Sequence, residues 1–474
     1  MARMTDALAV ALGELDVARG DRVAVQLQNM PQWLLALVGA WKAGAAVVPV
    51  SPMYTPRERA VLLEDSGARV LIVLEGLEGG AHVDHAITTS ALDLLDGARP
   101  APLASIERAP GEADLLDLIA RYAGRRPDVA PPAPEDPALL TYTSGTTGPP
   151  KGAINTHANV AFNAHTYRDW VGLTRDDVVL AIAPLFHITG LIGHLAVGML
   201  TPAPLVLAYR FDAAETLRLG ERHGATFTIA AITAFIALLR HDGGDLPALN
   251  KVYSGGAPIA PAVVEAFERR FGAYIHNIYG LTETTSPSHC VPASRRAPVD
   301  PGSGALSIGV PVFDTDSRIV GEDGREVAVS EVGEIVTRGP QVVPGYWGLA
   351  SFEELATGDV GFMDADGWFY LVDRKKDQIN ASGYKVWPRE VEDALYEHPD
   401  VVEVAVVGVP DAYRGETVKA VVTLAPGATT GAEELIEFTR DRLAPYKRPR
   451  IVEFMDELPK TSTGKILRRA LRDE

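Results

Sequence analysis

A chain of 474 residues that is 47% hydrophobic and 22% charged, with 44 glycines, is long enough to bury more than one core and should divide into at least two domains. Its net charge of −18 argues against a nucleic-acid partner, which needs a basic face, and requires any anionic ligand to meet locally placed basic residues. The single cysteine, Cys290, excludes an intramolecular disulfide framework and every multi-cysteine metal site; with no signal-peptide pattern at the start, a reducing cytoplasm is the expected compartment.

In chain order, residues 33–42 read as a helix, and 45–50 and 70–74 as short buried strands. A proline-rich stretch, 127–137, interrupts this pattern. Residues 178–209 contain no Asp, Glu, Lys or Arg and are long enough to span a bilayer. Pro184, Pro202 and Pro204 break the stretch, His187 and His194 lie within it, and no Trp/Tyr belt with basic flanks bounds it, so it reads as a buried strand, a loop and a buried helix. Residues 213–223 form an amphipathic helix ahead of a strand at 227–231, and 319–334 carries Gly-Glu-Asp-Gly turn chemistry between β-rich segments. Past Asp373 the pattern becomes short and mixed: a charged run at 374–377, a helix at 388–397, a strand at 401–409 and a basic tail. There are no internal repeats. The expected fold is α/β, with a large N-terminal domain of parallel or mixed sheets and flanking helices over 1–373 and a small α+β C-terminal domain over 374–474.

The most telling segment is Thr141-Tyr142-Thr143-Ser144-Gly145-Thr146-Thr147-Gly148-Pro149-Pro150-Lys151-Gly152. Its glycines let backbone N–H groups approach phosphate oxygens, the hydroxyls of Thr143, Ser144, Thr146 and Thr147 add donors, and Lys151 supplies charge. A Walker A loop needs Gly-Lys-Ser/Thr, whereas two prolines separate Gly148 from Lys151, which disfavours ordinary kinase or GTPase chemistry. Taken singly, other candidates have plain alternatives. Asp359, in Thr-Gly-Asp-Val-Gly, is as readily a turn residue, Glu283 a solvated carboxylate, His187 a satisfied core histidine, and Tyr279 core packing.

Together, residues 142–152, Pro184-Leu185-Phe186-His187, Ser254-Gly255-Gly256-Ala257-Pro258, Tyr279-Gly280-Leu281-Thr282-Glu283-Thr284, Thr357-Gly358-Asp359, residues 373–388 and Pro459-Lys460-Thr461-Ser462-Thr463-Gly464-Lys465 resemble the adenylate-forming superfamily. That superfamily comprises acyl-CoA synthetases, aryl-CoA ligases, luciferases and carrier-protein adenylation domains, and the resemblance covers nearly the whole chain. It implies a β-barrel-like subdomain in the large domain and a mobile C-terminal lid. It also implies the reaction: a carboxylate attacks the α-phosphate of ATP to give acyl-AMP and pyrophosphate, and a thiol then displaces AMP.

By the same resemblance, Thr143, Ser144, Gly145, Thr146, Thr147, Gly148 and Lys151 grip the β- and γ-phosphates, Thr282 meets the α-phosphate, and Glu283 holds a magnesium ion, a hard cation suited to carboxylate and phosphate oxygens. Tyr279 stacks on adenine, Gly256, Ala257 and Pro258 wall the base, Asn277 and Gly280 adjoin the nucleotide, and Asp359 with Arg374 holds the ribose hydroxyls. His187 stands at the mouth of the acyl pocket. Lys465 is the adenylation lysine, its ammonium bridging the attacking carboxylate and the α-phosphate where charge develops in the transition state. Lys376 aligns with the hinge of the lid, and Gly383 with the loop lining the pantetheine tunnel of coenzyme A. The cluster Lys447, Arg448 and Arg450 is a candidate dock for the coenzyme A 3′-phosphate, although a basic cluster is more often plain surface.

Segments 180–208, 254–264 and 277–294, which resemble the walls of the acyl pocket, contain no Lys or Arg. A dicarboxylic acid would need a buried cation there, and an amino acid an aspartate. Ile192, Ala230, Ala231, Ile232, Gly255 and Gly256 instead suggest an apolar monocarboxylic acid, first a medium- to long-chain fatty acid and second an aryl acid of the benzoate or cinnamate type. A non-catalytic homologue could lose Lys465 or Glu283, and both are present; a ligase loading a carrier protein would normally adjoin a carrier domain, and the chain stops at Glu474. The expected partners are a small carboxylic acid, ATP and coenzyme A, with a homodimer as the possible assembly. Two departures from the family stand out. The chain starts at Met1 where relatives carry several dozen more residues, and 345–357 is shorter than usual, so the geometry around Asp359 is expected to differ.

Overall fold

The computed structural model describes residues 1–80, 82–95, 99–143, 150–302, 304–374, 377–381, 384–411, 415–461 and 464–472. A first sheet runs in the order His85–Thr89, Val70–Leu74, Arg22–Gln26, Ala46–Pro49, Pro137–Thr143, Lys151–Thr156. Its pairs are parallel except the last, an antiparallel hairpin that sets Thr143 opposite Lys151. The inner strand Val70–Leu74 is wholly apolar, as a strand buried on both faces should be; Val70, Leu71, Ile72 and Val73 are all fully buried. Helix Gln32–Lys42 turns Trp33, Leu37 and Ala40 into that core, and Trp33 Nε1 donates to the Leu27 carbonyl at 3.0 Å, so the ring is buried without an orphaned donor.

A second sheet is ordered Val310–Pro311, Ser286–Cys290, Ile275–Leu281, Lys251–Gly255, Phe227–Ala230, Val179–Ala181, Leu205–Leu207. It is parallel from Ile275–Leu281 onward and antiparallel at the other edge. The β-rich subdomain follows as a four-stranded antiparallel sheet of Asp316–Val320, Gly333–Arg338, Leu355–Met363 and Phe369–Arg374. The last sheet joins Tyr384–Val386, Ile379–Ala381, Gly415–Leu424 and Val401–Asp411, with Ile451–Phe454 parallel beside Gly415–Leu424. Helix Pro388–Tyr396 packs Val391 and Leu395 against it in a core of its own.

Most expected elements fall where the pattern put them. The strand Val70–Leu74 and helix Ala213–His223 coincide with expectation, and the helix is closed locally: Asp212 accepts from Glu215 N at 2.8 Å, and Gly224 ends it in the left-handed region. The uncharged stretch holds strand Val179–Ala181, a loop and helical residues 188–200, then a further short strand, Leu205–Leu207, that no periodicity announced. The middle of the helical run, Leu191–Ala196, is wound as a π-helix, a form that recurs at functional sites. Among the described residues no helix is long and apolar enough to cross a membrane.

Candidate active site

Strands Lys251–Gly255 and Ile275–Leu281 run in parallel register, Ser254 beside Asn277 and Gly255 beside Ile278. Both therefore deliver the residues that follow them, Gly256, Ala257 and Pro258 on one and Thr282 and Glu283 on the other, to the same carboxyl edge, where open α/β sheets bind ligands. The backbones at this edge approach closely. A Cβ on Gly280 would lie 1.7 Å from the Ser286 carbonyl oxygen, so only glycine allows the chain to turn there. The turn is then pinned by two asparagines: Asn155 Nδ2 donates to the Thr282 carbonyl at 3.1 Å and to Thr285 Oγ1 at 2.9 Å, while Asn163 Nδ2 donates to the carbonyls of Thr284 at 2.9 Å and Thr285 at 2.7 Å. Thr285 and Ser286 take φ of 50° and 91°, a strained conformation for non-glycine residues that the surrounding bonds sustain.

Within this frame Glu283 Oε1 accepts the Tyr346 hydroxyl at 2.7 Å, and the Glu283 carbonyl accepts from Val343 N at 2.9 Å. Burial and the neighbouring carboxylate push the Tyr346 phenol up, so it stays a donor. The Lys151 ammonium stands 5.4 Å from the centre of the Tyr346 ring, which links the end of the glycine-rich segment to the carboxylate. Asp359, 2% exposed, accepts the Tyr279 hydroxyl on Oδ2 at 2.7 Å and lies opposite Arg374 in the strand register. Asn277 donates to the Ser307 carbonyl at 3.1 Å, a bond internal to the sheet's edge.

The C-terminal tail reaches this edge. Gly464 has φ +80°, and Lys465 follows it in a turn where Thr461 N donates to the Lys465 carbonyl at 2.7 Å and Lys465 N donates to Thr461 Oγ1 at 3.1 Å. The Lys465 side chain lies along Gly256, where an added Cβ would come within 2.8 Å of Cε and 3.3 Å of Nζ. Thr233 Oγ1 donates to the Gly464 carbonyl at 2.9 Å. Burial, and then the Lys465 ammonium, lower the His187 pKa to about 3; its Nδ1 accepts from Thr189 N at 3.3 Å, so the ring is neutral with its proton on Nε2.

The structure thus gathers three groups: Lys465 with Gly256 and His187, Tyr279 with Asp359, and Glu283 with Lys151. Ser144, Gly145, Thr146, Thr147, Gly148, Lys376, Gly383 and the Arg374 side chain lie outside the described residues. In the basic cluster, Lys447 pairs with Glu390 and Arg448 donates to the Leu443 and Arg440 carbonyls, while Arg450 is exposed. Tyr346, Asn155, Asn163 and Thr233 were given no role in the sequence reading: Tyr346 lies in the shortened segment 345–357, the other three lie inside no recognised motif, and each matters only through a contact distant in sequence. Among the described residues no three His, Cys, Asp or Glu side chains gather to hold a metal. A single carboxylate such as Glu283 nevertheless suits magnesium, which takes most of its ligands from phosphates and water.

Comparison with known proteins identifies the family. The model of the AMP-binding enzyme family matches residues 1–347, and that of the AMP-binding enzyme C-terminal domain matches 390–465. A long-chain-fatty-acid–CoA ligase of Bacillus subtilis (strain 168) is 39% identical over 509 residues, spanning 99% of this chain and 89% of its own. A feruloyl-CoA synthase of Amycolatopsis sp is 37% identical over 483 residues, spanning 100% of this chain and 92% of its own. The crystal structure of an anthranilate CoA ligase in complex with anthranoyl-AMP superposes with a TM-score of 0.87 at 28% identity, covering 99% of this chain and 90% of the other. On this evidence the chain belongs to the AMP-binding, adenylate-forming enzymes.

Proposed function

We propose that this enzyme activates an apolar fatty acid with ATP and transfers the acyl group to coenzyme A. The observation that carries the reading is the position of Lys465, laid along Gly256 and facing neutral His187 at the sheet edge that also holds Tyr279, Asp359 and Glu283. In the first half-reaction a carboxylate oxygen attacks the α-phosphorus, the bond from that phosphorus to the bridging oxygen breaks, and pyrophosphate leaves with the electron pair. Lys465 holds the two anions together, a contact strongest as the charge shifts. His187, kept uncharged, closes the acyl side without adding a second cation. Tyr279 offers its ring to adenine while its hydroxyl orients Asp359 toward the ribose. Lys151, Thr143 and the loop between them take the outer phosphates, and Thr282 the α-phosphate. When bound at Glu283, magnesium supplies positive charge to the phosphate oxygens; Tyr346 fixes the carboxylate that would receive it. In the second half-reaction the thiol of coenzyme A loses its proton and attacks the acyl carbon, and the carbon–oxygen bond to AMP breaks.

The fatty-acid preference rests on the absence of Lys and Arg from the segments resembling the acyl pocket and on the relative named as a long-chain-fatty-acid–CoA ligase. An aryl acid is the second reading, favoured by the feruloyl-CoA synthase and the anthranilate CoA ligase. The reading assigns 1–373 to the nucleotide- and acid-binding domain and 374–474 to a lid, and it places the enzyme in the cytoplasm, for which the lone buried Cys290 is the support. A homodimer is part of the same proposal, to be checked by light scattering. The decisive experiment incubates the protein with ATP, magnesium and a panel of fatty, aryl and dicarboxylic acids, with and without coenzyme A, and follows pyrophosphate and thioester by mass spectrometry. Fatty acyl-CoA is the expected product. Aryl thioester alone would shift the substrate class, and the absence of both products would overturn the reading.

A further inference from the structure

One hydroxyl outside the reaction scheme joins the lysine loop to the body of the molecule. Thr233 lies in the first turn of helix Ile232–Arg240, just after strand Phe227–Ala230, and its Oγ1 donates to the Gly464 carbonyl across 231 positions of sequence. That carbonyl belongs to the peptide that immediately precedes Lys465. The bond therefore orients the link from which the lysine side chain departs, while Gly256 bounds its far end. Gly464 adopts φ +80°, and a Cβ there would sit 3.2 Å from Thr233 Oγ1, so the approach is built for glycine on one side and a hydroxyl on the other.

We propose that Thr233 is a positioning residue that latches the Lys465 loop in the arrangement used for adenylation. The inference rests on the two half-reactions proposed above and on the mobile lid, which carries Lys465, moving between them. A bond made in only one of two arrangements shifts their populations by its own differential strength. A net hydrogen bond of ordinary strength corresponds to a factor of about five to ten. Thr233 thus favours acyl-AMP formation and must release the loop before the thiol step.

The test compares T233V, which removes the hydroxyl at nearly constant volume, with T233S, which retains it. Pyrophosphate release in a single turnover without coenzyme A is expected to slow about five- to tenfold in T233V. Conversion of supplied acyl-AMP to thioester should keep its rate or rise, and T233S should restore the wild-type ratio of the two half-reactions. A G464A variant, which strains the same contact from the other side, should show the same split. Equal slowing of both half-reactions, or slowing of neither, in variants that keep the wild-type thermal midpoint would overturn the latch. If the wild-type protein forms no acyl-AMP from any acid, the proposed function fails and the latch fails with it.

Discussion

At the level of single residues, the chemistry divides between groups that a motif marks and groups that only a contact reveals. Lys465 belongs to the first kind. Replacing it with alanine should slow acyl-AMP formation by about 10²–10³-fold, the loss expected for one preorganised charge-stabilising donor, while thioester formation from supplied acyl-AMP changes little. Single-turnover assays of each half-reaction check this, and equal loss in both would refute the role. Tyr346 belongs to the second kind. Its hydroxyl is bonded to Glu283 at 2.7 Å, so Tyr346→Phe should leave the carboxylate less well oriented and raise the magnesium concentration needed for half-maximal activity by about tenfold or more, the worth of one hydrogen bond to a charged group. A magnesium titration at fixed ATP reads the effect, and Glu283→Gln should show a larger shift in the same direction.

Among the elements, strand Ile275–Leu281 matters most, because its close approach to the neighbouring strand places both the Tyr279 ring and the Glu283 turn. Gly280→Ala would push a methyl to 1.7 Å from the Ser286 carbonyl oxygen, so the strand pair must separate. The expected cost is about 1–3 kcal/mol or more, with activity lost alongside. Gly13 is the useful contrast: it lies in helix Ala2–Glu14, exposed, with nothing within 4 Å of an added Cβ. Gly13→Ala should therefore stabilise the protein by about 0.5–1 kcal/mol. Thermal unfolding of the two variants should move the midpoint in opposite directions, and a Gly280→Ala midpoint equal to the wild type would show that the sheet edge yields more easily than its geometry implies.

For the whole molecule, three histidines contribute most strongly to the response to acid near pH 6, with His157 and His276 shifted in the same direction by burial. Burial lowers His194 and His289 to about 3, and burial with the Lys465 ammonium does the same to His187. Each pKa is lower in the folded state than the ordinary value of 6.5, so between pH 6.5 and 3 the unfolded chain binds more protons than the folded one. Their contribution to stability is accordingly complete above about pH 6.5 and declines as the pH falls, by at most about 1.4 kcal/mol per pH unit for each ring. The unfolding midpoint should be level above neutrality and drop steeply below pH 6. Replacing His194 with glutamine should remove about one proton from the slope, and an unchanged slope would mean that this ring takes up its proton in the folded state.

Much of the fold could be read before any coordinates. Helix Ala213–His223 and strand Val70–Leu74 were legible because their signals are local: an apolar period, an Asp212 cap, a closing Gly224. The candidate site residues Lys465, Glu283, Asp359 and Lys151 were picked out by resemblance to the motifs of a family, since taken singly Asp359 reads as well as a turn residue and Glu283 as a solvated carboxylate. The π-wound turn Leu191–Ala196 and the three-residue strand Leu205–Leu207 were not, because neither has a period long enough to register. Nor was the wiring of the site: Tyr346 reaches Glu283 across 63 residues and Thr233 reaches Gly464 across 231, and no local pattern encodes pairings at such separations. The chain's motifs name the chemical groups available for holding ATP and an acid; which of them face one another follows from packing, because it depends on the parallel register of Lys251–Gly255 and Ile275–Leu281 and on where the C-terminal tail packs.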